Sequence, residues 1–208
     1  MDKECTQKQP NGPSRRGKLY GQKRPLKAKE IWEIRMHLEM DHQHRDLAMF
    51  NLGIDSKLRG CDLLNLRVHD VMQSGQVLAR AVVMQRKTQR PVKFELTEAT
   101  RTAVSAWIKL AELAPGRYLF PGKKNPAGHV SSRQYARVVD GWVESIGLDP
   151  DLYGTHTMRR TKPTLIYQKT KNIRAVQLLL GHTKVENTVR YLGIEVDDAL
   201  EISEQTDI

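Results

Sequence analysis

Apolar residues recur along this chain with two different periods. From residue 28, Ile31, Ile34 and Leu38 are spaced i, i+3, i+7, and Leu47, Phe50, Ile54 and Leu58 continue a similar stripe, which predicts a helical opening to the domain. Over residues 76–96 the character changes to β-branched and alternating, with the polar run Arg86-Lys87-Thr88-Gln89-Arg90 between two apolar segments, and predicts one small β-hairpin. Helical spacing returns over 98–113, 131–146, 156–170 and 173–180, with Pro115-Gly116, Pro121-Gly122 and Asp149-Pro150 in the loops between. The expected fold class is mainly α with a small antiparallel β-sheet. No internal repeat or low-complexity tract interrupts it.

Charge changes the picture at both ends. The 208 residues carry 34 Lys+Arg against 24 Asp+Glu, a formal charge of +10 that favours a polyanionic partner. Residues 195–208 hold six acids and no base, so the first 194 residues are more basic still. Residues 1–27 hold eight bases, two acids, three prolines and three glycines, and are expected to form a flexible basic arm. Residues 28–194 form the expected domain, and 195–208 an acidic C-terminal segment. No run of about 18 apolar residues and no apolar leader are present, so no membrane partner is expected and the chain is expected in the cytoplasm, nucleoid-associated if its polyanionic partner is DNA. Cys5 and Cys61 make no C-x-x-C pair, and neither they nor His37, His42 and His44 have metal-ligand spacing. No metal or cofactor is expected.

Candidate chemistry gathers in the last third of the chain. Thr155 is a plausible N-cap, placing His156 and Arg159 at i, i+3 near a helix N-terminus, where free amides favour an anion. Met158 and Leu165 fall on the opposite face, so the expected helix buries these two and presents His156 and Arg159 outward. Gly181 ends one helix, His182 sits in the turn, and Thr183 with Glu186 forms a T-x-x-E capping box for a short helix that carries Tyr191 and stops at Gly193. Trp107 and Trp142 read as packing residues. Tyr20, Tyr118, Tyr135, Tyr153 and Tyr167 lack a glycine-histidine turn nine residues upstream and read as structural.

Over residues 28–208 the chain resembles the tyrosine recombinase, or phage integrase, family. Ser56-Lys57-Leu58-Arg59-Gly60-Cys61-Asp62-Leu63-Leu64, followed by Leu66-Arg67-Val68-His69-Asp70, is similar to the family's first arginine motif. His156-Thr157-Met158-Arg159 matches its H-x-x-R box, and Leu180-Gly181-His182 with Tyr191 matches its L-G-H…Y box. Its hairpin lysine corresponds most naturally to Lys87, with Lys93 the second candidate. The resemblance implies the family's catalytic-domain fold and site-specific recombination of double-stranded DNA without a metal. Tyr191 would form a 3′-phosphotyrosyl ester while Arg59 and Arg159 bind the phosphate. His156 would assist proton removal, Lys87 would protonate the leaving 5′-oxygen, His182 would hydrogen-bond the phosphate, and Asp62 would orient Arg59 from behind. Partners implied are a homo-oligomer on paired sites and accessory DNA-bending proteins, and the resemblance implies that Ile194, Val196, Leu200 and Ile202 of the acidic segment form an apolar docking helix for a neighbouring subunit or the chain's own body. Many family members place a DNA-clamping domain before the catalytic one, where this chain has its arm.

Two rival readings remain at this stage, a DNA-binding member without turnover and a type IB topoisomerase-like relaxing enzyme. Pro163 bears on the first. It falls inside the helix of His156 and Arg159, lacks the N–H that would bond the Arg159 carbonyl, and predicts a bent helix and reduced activity.

Overall fold

The computed structural model describes residues 22–193 and the single position 204. Most of the expected basic arm and the acidic C-terminal segment, including its docking helix, lie outside the described residues. Within them the elements run α1 (Ala28–Met40), α2 (His44–Ser56), α3 (Gly60–Leu64), α4 (Val68–Val71), β1 (Met72–Gln73), β2 (Gln76–Val77), β3 (Arg80–Met84), β4 (Pro91–Glu95), α5 (Glu98–Leu110), α6 (Ser132–Glu144), α7 (Thr155–Thr170), α8 (Ile173–Leu180) and α9 (Val185–Leu192). A mainly helical fold with small antiparallel sheets is therefore observed.

Helix α2 is the axis of the core. Every residue from Ala48 to Ser56 is buried, because α1, α5 and α7 cover it on different sides. Its polar members are satisfied within the packing. Asn51 accepts a hydrogen bond from Arg35 Nε at 2.6 Å. Asp55 accepts from the backbone and hydroxyl of Thr97 at 2.8 and 2.7 Å and from the Thr100 hydroxyl at 2.6 Å, so it caps α5 from a neighbouring helix. Phe50 and Tyr135 each pack edge-on against Trp142, which places α6 on the same core. Trp107 is half-buried and donates to the Leu119 carbonyl at 2.8 Å.

The predicted hairpin divides into two ribbons. Met72 pairs with Val77 across a turn in which Ser74 and Gly75 both have positive φ, the geometry a two-residue hairpin loop requires. Only Arg80–Met84 and Pro91–Glu95 form the longer pair, with Ala81 opposite Phe94 and Val82 opposite Lys93. The first apolar run of the expected hairpin thus serves two structures, because Ser74-Gly75 turns the chain before it.

Residues 22–27, expected as the end of the arm, are packed on the body. Leu26 is buried and its N–H donates to Thr161 Oγ1 at 3.0 Å, while Arg24 N–H donates to the Leu152 carbonyl at 3.0 Å. The apolar Leu26 gives this stretch something to bury despite its basic composition. Gln22 Nε2 reaches the Arg190 carbonyl at 2.8 Å and Arg160 Nη1 the Lys23 carbonyl at 2.9 Å, so the segment touches both α9 and α7.

Candidate active site

Three chain segments meet at the Arg159 guanidinium. Its Nη1 donates to the Lys57 carbonyl at 2.8 Å and its Nη2 to the Leu180 carbonyl at 3.0 Å, which joins the loop before α3, helix α7 and the end of α8. Arg159 is therefore buried, at 4% exposure, and is not presented outward as its helical spacing suggested. The cause is local: two carbonyls at chain turns, those of Lys57 and Leu180, compensate a buried cation that helical spacing alone assigns to the surface. His156 keeps the expected exposure, at the rim of a cleft it shares with Arg59, Cys61 and Arg159.

The start of α7 also differs from expectation. Gly154 is the N-cap and Thr155 the first helical residue, because Thr157 supplies the reciprocal contact: its N–H donates to the Gly154 carbonyl at 2.8 Å and its hydroxyl accepts from Gly154 N–H at 3.1 Å. The helix then continues to Thr170 with Pro163 buried inside it.

Lys57 shapes the approach to Arg59. It adopts a left-handed conformation, φ 55°, that ends α2 and turns its carbonyl to Arg159. Its side chain is fully buried, with Nζ 2.8 Å from both carboxylate oxygens of Glu95. Lys162 of α7 completes the network at 2.7 Å from both Asp55 and Glu95. Burial lowers the Lys57 pKa, with Glu95 opposing it. Burial alone would raise the Asp55 pKa, but the hydrogen bonds from Lys162, Thr100 and Thr97 outweigh it and hold the carboxylate ionised.

Arg59 is the N-cap of α3 and donates from Nη1 to Gln85 Oε1 at 3.0 Å. Asp62 lies further from it, 3.9 Å from Nη1, and instead accepts the Arg86 N–H at 3.0 Å, so its closest bond anchors the hairpin turn. Gln85 was not among the residues the sequence singled out. Its signal was weak: a glutamine at the end of an alternating run, two residues before Lys87. Lys87 is exposed in that turn, between Gln85 and Thr88. Lys93 projects from the face of β4 opposite to Val92, the residue lying against Gly181, so strand alternation turns it away from the glycine-histidine turn.

That turn needs its glycine. Gly181 has φ +68°, and a Cβ there would stand 3.0 Å from Val92 Cγ2. The following helix begins at Val185 after Lys184, without a side-chain cap, so the expected Thr183–Glu186 box does not form. Thr188 lies against the turn instead, its Oγ1 3.1 Å from His182 Nδ1, and Gln177 Nε2 donates to the His182 carbonyl at 3.1 Å. The His182 and Tyr191 rings meet edge-on at 5.4 Å, and the Arg160 guanidinium lies 5.5 Å from the centre of the Tyr191 ring.

The Tyr191 hydroxyl is buried beside the Arg159 guanidinium, outside ordinary hydrogen-bond geometry with any described group. Burial pushes its pKa up to about 12, against the pull of Arg159, Arg160 and Arg59. Burial and then the cations of Arg159 and Arg59 push His182 down to about 4. His156, exposed at the rim but partly desolvated by the cleft, is lowered by that desolvation and by Arg159, Arg160 and Arg59. Both histidines are thus neutral at pH 7, in a site whose cations favour an anion. Among the described residues no three His, Cys, Asp or Glu side chains converge as metal ligands.

The model of the phage integrase family matches residues 24–196. The chain belongs to the phage integrase family. It is 30% identical over 174 residues to a protein named probable integrase/recombinase YoeC of Bacillus subtilis, covering 83% of this chain and 91% of that protein. It is 32% identical to the tyrosine recombinase XerD of Corynebacterium glutamicum and 30% identical to the tyrosine recombinase XerC of Neisseria gonorrhoeae, but spans only 51% and 48% of their lengths. Among solved structures it resembles XerA recombinase with a TM-score of 0.71, at 20% identity over 87% of this chain and 64% of that one. It also resembles XerH bound to its difH substrate, with a TM-score of 0.68 at 18% identity, over 86% and 53% of the two chains. These likenesses establish the tyrosine recombinase catalytic-domain fold.

Proposed function

We propose that this chain cleaves and rejoins double-stranded DNA at specific sites through a 3′-phosphotyrosyl intermediate, with Tyr191 as nucleophile. The observation that carries the reading is the single guanidinium of Arg159, which binds the arginine-motif loop and the glycine-histidine turn together and stands beside the Tyr191 hydroxyl. Its two carbonyl partners, 102 and 21 residues away in sequence, are thereby brought to one cationic pocket around one phenol.

The phenol is protonated at neutral pH, so attack requires a base. His156, neutral and at the rim of the cleft, takes the Tyr191 proton as the tyrosine oxygen bonds to phosphorus. The bond from phosphorus to the 5′-oxygen breaks, and Lys87 delivers a proton to that oxygen. Arg59 and Arg159 donate to the nonbridging oxygens and stabilise the charge of the pentacoordinate transition state. With the Thr188 hydroxyl donating to His182 Nδ1, 3.1 Å away, the neutral ring carries its proton on Nε2, which donates to the phosphate. The ester retains the energy of the broken bond, so a 5′-hydroxyl from a second strand rejoins it by the reverse route. Exchange between two sites requires two or more copies of the chain on paired DNA, with bending proteins assisting where the sites are distant.

The test is a nicked suicide duplex carrying a site selected by the protein from random-sequence DNA. Covalent capture supports the reading. Recombinant products from two-site DNA, without relaxation of a supercoiled plasmid lacking a site, separate it from topoisomerase action; no adduct under any condition contradicts it.

A further inference from the structure

Gln85 is nearly inaccessible, at 1% exposure, yet it sits at the mouth of the β3–β4 turn and not in the apolar core. Its Oε1 accepts from Arg59 Nη1 at 3.0 Å and from the Thr88 hydroxyl at 2.8 Å. Arginine can only donate, which fixes the amide oxygen as the atom facing it. The backbone of the same residue closes the turn: Gln85 N–H donates to the Arg90 carbonyl at 2.9 Å and the Gln85 carbonyl accepts Gln89 N–H at 2.8 Å. The next residue, Arg86, donates its N–H to Asp62. Two consecutive turn residues are therefore clipped to Arg59 and Asp62 on the first turn of α3, and Lys87 comes immediately after them. Gln85 Nε2 is buried without a partner among the described residues, an arrangement that costs stability and marks the side chain as kept for something other than folding.

We propose that Gln85 is a positioning residue that fixes the Lys87 turn to Arg59, so that the group protonating the leaving oxygen is held in register with the group binding the phosphate. Arg59 gives up one of its five N–H donors to this contact and keeps the rest for phosphate oxygens. Without the amide oxygen the turn keeps its Arg86–Asp62 bond and its backbone closure, so the hairpin survives while Lys87 loses its fixed distance from the scissile bond. The inference rests on the general-acid role proposed for Lys87.

The experiment compares single-turnover adduct formation on two nicked suicide duplexes of the selected site, one with the natural 5′-oxygen and one with a bridging 5′-sulfur at the scissile phosphate. The thiolate leaves without a general acid. Gln85→Met, close to isosteric, is expected to slow cleavage of the oxygen substrate about tenfold or more and of the sulfur substrate less than about threefold. Gln85→Glu, which keeps an oxygen toward Arg59 and Thr88, is expected to cleave the oxygen substrate faster than Gln85→Met. Equal losses on both substrates, or a Gln85→Glu rate no better than Gln85→Met, overturns the proposal. Lys87→Ala in the same assay separates the two readings: if it is rescued by sulfur and Gln85→Met is not, only the role of Gln85 fails; if Lys87→Ala is not rescued, the general-acid assignment itself fails.

Discussion

Tyr191 and His182 show how much of a residue's chemistry depends on its surroundings. The sequence places both in one box, but only the fold buries the phenol among three arginines and drives its pKa up to about 12. Tyr191→Phe removes the oxygen proposed as nucleophile and keeps the ring against His182 and Arg160, so it is expected to abolish the adduct while DNA affinity, read by band shift, stays within about twofold. The histidines predict a pH effect whose sign is fixed. His182 falls from its ordinary value near 6.5 to about 4 on folding, and His156 is lowered too. The unfolded chain therefore binds more protons between pH 6.5 and about 4. Stability is full above pH 6.5 and declines as the pH falls through that window. The melting temperature should drop between pH 7 and 5, and His182→Gln should flatten the drop; an unchanged slope in the variant would show that His182 is not the group responsible. Arg59, His156, Arg159, His182 and Tyr191 were all singled out from the sequence because their motifs are local. Gln85 was not, since its partner lies 26 residues away.

Helix α7 carries the clearest tension between local rule and fold. Proline inside a helix typically costs about 3 kcal/mol, and here it leaves the carbonyl of Arg159 without its helical donor. The helix nonetheless runs to Thr170, with Pro163 buried. Pro163→Ala is expected to raise the melting temperature and the adduct yield together; loss of cleavage on that substitution would show that the helix works in its proline form. The Lys57–Glu95–Lys162–Asp55 network ties the same helix to α2 and β4. Lys57→Met leaves Glu95 still paired with Lys162 and partly in solvent, so the loss should lie at the low end for a broken buried pair, about 3 kcal/mol by urea unfolding. Hydrophobic periodicity located every long helix, because those stripes face one core. It missed the network, the Ser74-Gly75 ribbon and the true cap of α7, which depend on hydroxyls, carboxylates and positive φ in place of apolar spacing.

The molecule joins an excess of basic charge to a recessed cationic pocket, and that combination governs how it should meet DNA. Binding is expected to weaken steeply with salt as counterions are released from the contacted phosphates. Deleting residues 1–21, which spares the packed segment beginning at Gln22, should flatten the dependence of log affinity on log salt if the basic arm touches DNA; an identical slope would make the arm a bystander. Composition pointed to a polyanionic partner and the motif order to the family, whereas the docking of residues 22–27 onto α7 and α9 could be seen only in three dimensions, since their basic, proline-containing sequence looks like a tail. The most direct test of the central claim is to digest the trapped protein–DNA complex with protease and nuclease and to map the modified peptide by mass spectrometry. A nucleotide esterified through its 3′-phosphate to Tyr191 is the predicted result; a modification on another residue, or trapped cleavage that persists in Tyr191→Phe, would contradict it.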